Sequence, residues 1–219
     1  MKQFKFFLAI IVLMLGLVLT FSPFLKNMIL DKKVHSLMEQ IDTMDNVALE
    51  GNRKKVEAVE EVNELPSELD VLKGLSYKGE PVAFMYIPST GLKLPIYKTV
   101  TKQNLLHGAG EMKEYDKLGK GNYVLAGHRM KKKGLLFHDV VRLNNGDKVY
   151  VTDKKKIYEY QVVHKQIIKE NETTIMEENG KDEITLITCD IPSEPENRVA
   201  VSGDLINSFP FNEDFKNIE

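Results

Sequence analysis

The run Ile184-Thr185-Leu186-Ile187-Thr188-Cys189 is the most strand-like apolar stretch in the sequence, and it ends on the single cysteine among 219 residues. It is rich in β-branched residues and lacks the polar alternation of a strand wetted on one face, so it reads as a central strand. A lone thiol cannot be half of an internal disulfide. The chain also opens with a stretch able to span a membrane, which would leave that thiol facing an oxidising exterior, where an idle cysteine is a liability. Cys189 is therefore a candidate nucleophile. The competing reading is a small buried residue that only packs.

Outward from this run, the sequence from Pro81 onward is a series of short β-type segments: 82–87, 92–97, 122–126, 148–152, 157–163, 184–188 and 199–201. Turn residues separate most of them, as in Pro88-Ser89-Thr90-Gly91 and Asn144-Asn145-Gly146-Asp147. Two stretches, Lys102 to His107 and Leu135 to Val141, read as short helices. Many strands with few helices predict a sandwich or closed barrel rather than a parallel α/β sheet. Residues 190–197 read as a proline-rich turn, Ser202-Gly203-Asp204 as another, and the tail after about Asn207 as polar and loose.

Upstream the texture differs. No charged residue occurs from Phe6 to Leu25, and about 20 apolar residues suffice for a helix to cross a hydrocarbon core. The run ends in Leu19-Thr20-Phe21-Ser22-Pro23-Phe24 without a small-x-small cleavage site, which favours a retained anchor over a removed signal. Lysines flank it on both sides, so charge alone does not orient it; the short leading segment favours an inside amino terminus and an outside body. From Asn27 to about Tyr77 the chain is charged and poor in aromatics, with Val34, Leu37, Met38 and Ile41 at helical spacing. It reads as a stalk, within which residues from about Val56 to Leu75 read more simply as a plain spacer than as a lid over a groove. Glu57, Glu60, Glu61 and Glu64 read as a solvated helix face beside Lys54 and Lys55 rather than a metal or acid/base cluster. The formal charge of -2 excludes the electrostatic footprint of a nucleic-acid binder.

A thiol with an ordinary pKa near 8.5 is mostly protonated at neutral pH, so nucleophilic use requires a base or a cation nearby. Of the five histidines, His35, His107, His138 and His164 sit in patterns where a structural or exposed imidazole is the default. His128 instead follows the strand Asn122 to Ala126 and the turn-permitting Gly127, a strand end suited to lining a cleft. Arg198 lies at the start of Val199-Ala200-Val201. If this strand neighbours 184–188, Arg198 and Cys189 emerge at the same end of the sheet, where a guanidinium suits a developing oxyanion. The plainer alternative is a surface arginine beside Glu194 and Glu196.

Taken together, Thr185-Leu186-Ile187-Thr188-Cys189, Leu125-Ala126-Gly127-His128 and Arg198 before a short strand resemble the signatures of sortases, the cysteine transpeptidases of Gram-positive bacteria. Tyr86-Ile87-Pro88, Leu94-Pro95-Ile96, Asn104-Leu105-Leu106 and Gly119-Lys120-Gly121-Asn122-Tyr123 follow in the family's order. The resemblance runs from about Val82 to Leu205 and is most like class A. It implies a mainly β fold, an eight-stranded sortase barrel with short helices behind an N-terminal transmembrane helix and a charged helical stalk. The resulting division is 1–26 cytoplasmic tip and anchor, 27–75 extracellular stalk, 76–208 catalytic barrel and 209–219 tail.

The same resemblance implies that Cys189 attacks the threonine–glycine bond of an LPxTG-like sorting signal, forming a thioacyl enzyme. His128 would act as acid and base, Arg198 would stabilise the oxyanion, and Ala126 and Thr188 would help line the signal groove. The partners implied are surface proteins carrying the signal, an amine of lipid II or peptidoglycan, and the cell membrane through the N-terminal helix. No cofactor is implied. Some class A members bind calcium through loop carboxylates; here residues 111–120 alternate lysines with acids, which disfavours a hard cation. No HExxH, CxxC or Cys/His cluster offers a zinc site. The remaining alternatives are a membrane-anchored cysteine hydrolase or peptidase, and a non-enzymatic surface β-domain binding a protein partner. Serine catalysis is disfavoured because no GxSxG occurs.

Overall fold

The computed structural model describes residues 2–55, 66–114, 117–192, 194–212 and 215. Three helices come first among them: α1 (Lys2–Thr43), α2 (Asn46–Arg53) and α3 (Glu68–Gly74). The strands are β1 (Ala83–Ile87), β2 (Leu92–Tyr97), β3 (Ala109–Glu111), β4 (Asn122–Ala126), β5 (Lys148–Thr152), β6 (Lys156–Lys169), β7 (Glu183–Ile191) and β8 (Glu194–Pro210), with α4 (Lys102–His107) between β2 and β3. They close into a barrel in the order β1-β2-β3-β4-β7-β8-β6-β5, and β5 returns to β1. Closure gives every described strand a neighbour on both sides, which limits the edges open to another chain.

The run ending at Cys189 forms β7, between β4 in parallel and β8 antiparallel. Ile184 and Leu186 point into the main core with Tyr123, Leu125 and Val201, whereas Ile187 packs outside with Val124, Ile168 and Ala200. Both faces are covered, which is why the strand reads as a continuous apolar run. Fully burying each such side chain contributes roughly 1.5–3 kcal/mol. The buried polar member, Thr185, donates its hydroxyl to Asn122 Oδ1 at 2.8 Å.

Several segments depart from the sequence reading. β3 was not expected: it is three residues of Ala109-Gly110-Glu111, too short and too glycine-rich to carry a strand signal. β6 and β8 run much further than 157–163 and 199–201, as a 14-residue and a 17-residue strand paired along their length. Ser202-Gly203-Asp204, expected as a turn, continues β8, and Gly203 allows close approach: a Cβ there would lie 3.0 Å from the Gln161 carbonyl oxygen. The expected turn over 190–197 is also mostly strand, with Ile191 already opposite Glu194. The second expected helix is a 3-10 turn at Phe137–Arg142.

The segment expected as a stalk lies against the barrel over its described residues. Leu30 and Val34 of α1 and Val71 of α3 join the main core, while Met38, Ile41 and Leu49 pack with Phe84, Tyr150, Ile157 and Phe215. The helical spacing read from Val34 to Ile41 is thus a docking face for the barrel wall. Phe215 buries with that group, and Phe209 and Phe211 pack against it, so these aromatics hold the chain beyond Asn207. Charge reinforces the join: Arg53 at the end of α2 reaches the fully buried Glu111 carboxylate at 2.7 Å, which Lys98 meets at 3.4 Å. Tyr123 donates its hydroxyl to the same group at 2.8 Å. Asp45 caps α2 through the Ala48 N–H, and Ser67 with Asp70 forms a capping box on α3. Glu57, Glu60, Glu61 and Glu64 lie outside the described residues.

Candidate active site

Three neighbouring strands bring the chemistry together. β4 and β7 run parallel with Ala126 opposite Ile187, and the Gly127 N–H continues the ladder to the Ile187 carbonyl at 3.1 Å. Extending that register carries His128 alongside Cys189. On the other side β8 is antiparallel, with Arg198 directly opposite Cys189. Side chains at these strand ends converge on a cleft of about 230 Å³ whose lining includes His128, Cys189 and Arg198.

Gly127 is needed there for space. A Cβ at this position would lie 2.5 Å from the Phe137 ring, so only glycine lets that ring pack beneath the turn. The turn is then fixed on both flanks, since the Thr188 hydroxyl donates to the Gly127 carbonyl at 2.8 Å and the Phe137 N–H donates to the His128 carbonyl at 2.9 Å. Thr188 is buried, so its hydroxyl ties β7 to the β4 end and only its edge borders the cleft. Ala126 is half-buried in the cleft wall.

Arg198 donates from Nη1 to the Cys189 sulfur at 3.4 Å, while its Nη2 lies 3.7 Å from Glu170 at the end of β6. Burial pushes the Cys189 thiol up from its ordinary value, against the lowering pull of Arg198 and Arg129. Burial also pushes His128 down to about 4, helped by the positive fields of Arg198 and Lys26. Both shifts favour the uncharged forms, thiol and neutral imidazole. Charging that imidazole costs roughly 3 kcal/mol more than in water, at 1.36 kcal/mol for each pKa unit. A site of this kind groups a thiol, an imidazole and a fixed guanidinium, the groups that covalent acyl transfer can use.

Two of the other described histidines have structural surroundings, whereas His35 and His164 are exposed. His107 is buried, stacks on Tyr77 at 4.8 Å and bonds the Gln103 carbonyl, and His138 bonds the Met130 carbonyl at 2.6 Å. Sequence reasoning missed Glu170, Arg129 and the apolar cleft walls Leu105, Met112, Ile168 and Met176. Arg129 adjoins the motif histidine and was visible; its ion pair with Asp190 at 3.9 Å, beside Cys189, needed the fold. Glu170 directly follows β6, beyond the 164–169 extension that carried no strand signal. In the region where lysines alternate with acids, Lys113 pairs with Glu178 at 2.7 Å, so a cation there would compete with an ammonium.

The fold and site define a β-barrel enzyme of the thiol-dependent acyl-transfer class. The comparisons narrow this: the model of the Sortase domain matches residues 85–206. Over 201 residues the chain is 38% identical to sortase A of Listeria monocytogenes, covering 90% of each. It is 36% identical over 200 residues to sortase A of Bacillus anthracis, covering 91% of this chain and 93% of that one. The crystal structure of Listeria monocytogenes sortase A superposes with a TM-score of 0.61 at 36% identity, covering 63% of this chain and 94% of that one. The chain belongs to the sortase family, is class A-like, and is a cysteine transpeptidase.

Proposed function

We propose that this sortase cleaves an LPxTG-like sorting signal between threonine and glycine and passes the threonyl group to a cell-wall precursor amine, with Cys189 as nucleophile. The observation that carries the reading is the sole thiol of the chain lying 3.4 Å from the Arg198 guanidinium, in the cleft that also holds His128. A cysteine transpeptidase with one cysteine has one candidate for its attacking atom.

In the proposed sequence the thiol proton moves to His128 as sulfur attacks the threonine carbonyl. Arg198 turns its N–H groups from sulfur to the oxyanion, supplying charge that needs no reorganisation of solvent. The imidazolium then protonates the departing glycine nitrogen as the C–N bond breaks, leaving a thioester and a neutral imidazole. The incoming amine attacks that thioester while His128 takes its proton, and the thiol leaves as sulfur recovers a proton from the imidazolium. Leu105, Met112 and Ile168 give the cleft apolar walls suited to the leucine and proline of such a signal. Ala126 and Thr188 border the same groove.

The proposed location is the cell membrane, through the 20-residue helical stretch Gln3–Ser22, which is long and apolar enough to span it. The amino terminus would be cytoplasmic and the barrel outside, where signal-bearing surface proteins and the amine of lipid II or peptidoglycan are met. Mass spectrometry of the full chain mixed with an LPxTG peptide tests the reading. The expected result is an acyl adduct on Cys189 that an added amine discharges as a new peptide bond. Cleavage with no adduct, or hydrolysis unaffected by amine, would overturn it.

A further inference from the structure

Charge near the start of the barrel is distributed against the chain's overall balance. Residues 26–33 and 129–133 together contain Lys26, Lys32, Lys33, Arg129, Lys131, Lys132 and Lys133 against the single acid Asp31, in a chain of formal charge -2. The two segments are one surface in space. Lys132 pairs with Asp31 of α1 at 2.7 Å, and Met130 packs in the same apolar cluster as Leu30. Lys32, Lys131 and Lys133 are exposed.

The height of this surface follows from α1, which is continuous from Lys2 to Thr43 and so carries the spanning stretch Gln3–Ser22 directly into the part that packs on the barrel. At 1.5 Å per residue, Lys26 stands about 6 Å beyond Ser22 and Asp31 about 14 Å. The headgroup layer accounts for roughly 5–8 Å of that distance. The Asp31–Lys132 pair therefore lies within about one screening length, ~8 Å, of the lipid surface. A helix tilt, common for single spans, brings one side of the barrel closer still. The basic loop begins at the residue after His128, so its position also sets that of the cleft. Lys26 donates to the Pro66 carbonyl and its charge reaches His128, which places the cleft near the same level. Lysines just outside a span also oppose the usual bias of positive charge toward the inside, so orienting the helix does not account for them.

We propose that Lys131 and Lys133, with Lys32 of α1, dock the barrel on an anionic bilayer surface and hold the mouth of the cleft at headgroup level. This rests on the reading of Gln3–Ser22 as a membrane anchor. The partner is the lipid surface, recognised by charge alone, and docking decides which way the barrel leans on its helix. Reactants that are themselves tethered to the bilayer would then meet the thiol without leaving the interface.

The test uses the full chain in nanodiscs, with a donor dye on Glu172→Cys at the cleft rim in a Cys189→Ala background and acceptor dyes on the lipid headgroups. Energy transfer is compared between phosphatidylglycerol and phosphatidylcholine discs at low and high salt, with and without Lys131→Glu and Lys133→Glu. The expected result is higher transfer in phosphatidylglycerol at low salt, lost in high salt and in the double variant. The same two lysine substitutions in the otherwise native chain should leave turnover of a soluble peptide in detergent unchanged, excluding misfolding. Transfer independent of lipid charge, salt and the lysines in inserted protein would overturn the docking proposal alone. Failure of the chain to insert would overturn the anchor reading and the proposal with it.

Discussion

Arg198 stands opposite Cys189 on the β7–β8 ladder and donates from Nη1 to its sulfur at 3.4 Å, while its other terminal nitrogen faces Glu170 at 3.7 Å. The guanidinium is thus held from two sides, by the thiol and by a carboxylate just past the end of β6. A planar fork held in this way can turn one N–H toward an oxyanion while keeping the other anchored, which a lysine ammonium cannot reproduce.

Replacing Arg198 by alanine is expected to lower kcat for an LPxTG peptide by about 10²–10³-fold, the usual cost of losing an oxyanion donor. Arg198→Lys should recover only part of this loss. Steady-state kinetics with a quenched fluorescent peptide provides the measurement, and near-normal turnover by the alanine chain would remove Arg198 from the mechanism.

Glu170→Gln separates positioning from chemistry. The carboxylate acts on Cys189 as well as on Arg198, and its charge helps raise the thiol pKa. Neutralising it should shift the pH midpoint of Cys189 alkylation downward. Arg129→Ala should shift the same midpoint upward, because that arginine lowers the thiol pKa. Iodoacetamide labelling rates across pH read both, and midpoints that moved the opposite way would contradict the assigned fields.

The two shifts together predict a broad pH–rate profile. His128 titrates at about 4 and Cys189 above its ordinary value, so kcat/KM should stay level between an acid limb near the first and an alkaline limb near the second. The limbs belong to the pair, and the profile has the same shape whether the neutral or the ion-pair form reacts. A narrow optimum with an acid limb at the ordinary imidazole value would count against a desolvated His128.

The same depression makes a stability prediction. His128 is held at about 4, below its unfolded value near 6.5, so between these pH values the unfolded chain binds the extra proton. Stability should therefore fall as pH drops from about 6.5 toward 4, by roughly 3 kcal/mol from this group, and fall no further from it below that. Denaturant melts of the native chain and of His128→Gln should diverge in this window, the variant lacking that part of the decline.

The parts legible in the sequence were those where local pattern and tertiary environment agree. The strand ending at Cys189 announced itself because β7 is covered on both faces, and the Val34 to Ile41 spacing because that face of α1 docks on the barrel. β3 and the extensions of β6 and β8 stayed hidden because their pairing comes from the partner strand rather than from their own propensities. Gly203 illustrates this: it looks like a turn and is a strand residue pressed against the Gln161 backbone. In the site, Cys189, His128 and Arg198 stood at readable strand ends. Glu170 did not, since a carboxylate in a polar stretch gains meaning only when the barrel closes.

Arg53 and Glu111 offer the sharpest test of whether the helices before the barrel belong to its fold. Burial raises the Glu111 pKa, and Arg53, Tyr123 and Lys98 hold it back. Arg53→Ala removes the nearest cation and leaves a carboxylate with no exposed side-chain surface on Tyr123 and Lys98. Breaking a buried pair in this way typically costs about 3–5 kcal/mol; the partners that remain should hold the loss toward the lower end. The folded pKa of Glu111 then rises further above its unfolded value, so the deficit should be smallest in acid and grow as pH rises through the carboxylate range. Glu111→Gln, which needs no counter-cation, should show little of that added pH dependence. Chemical denaturation of the two variants at acid and neutral pH makes the comparison, and a loss in Arg53→Ala that did not change with pH would mean that Glu111 is not left charged by the substitution.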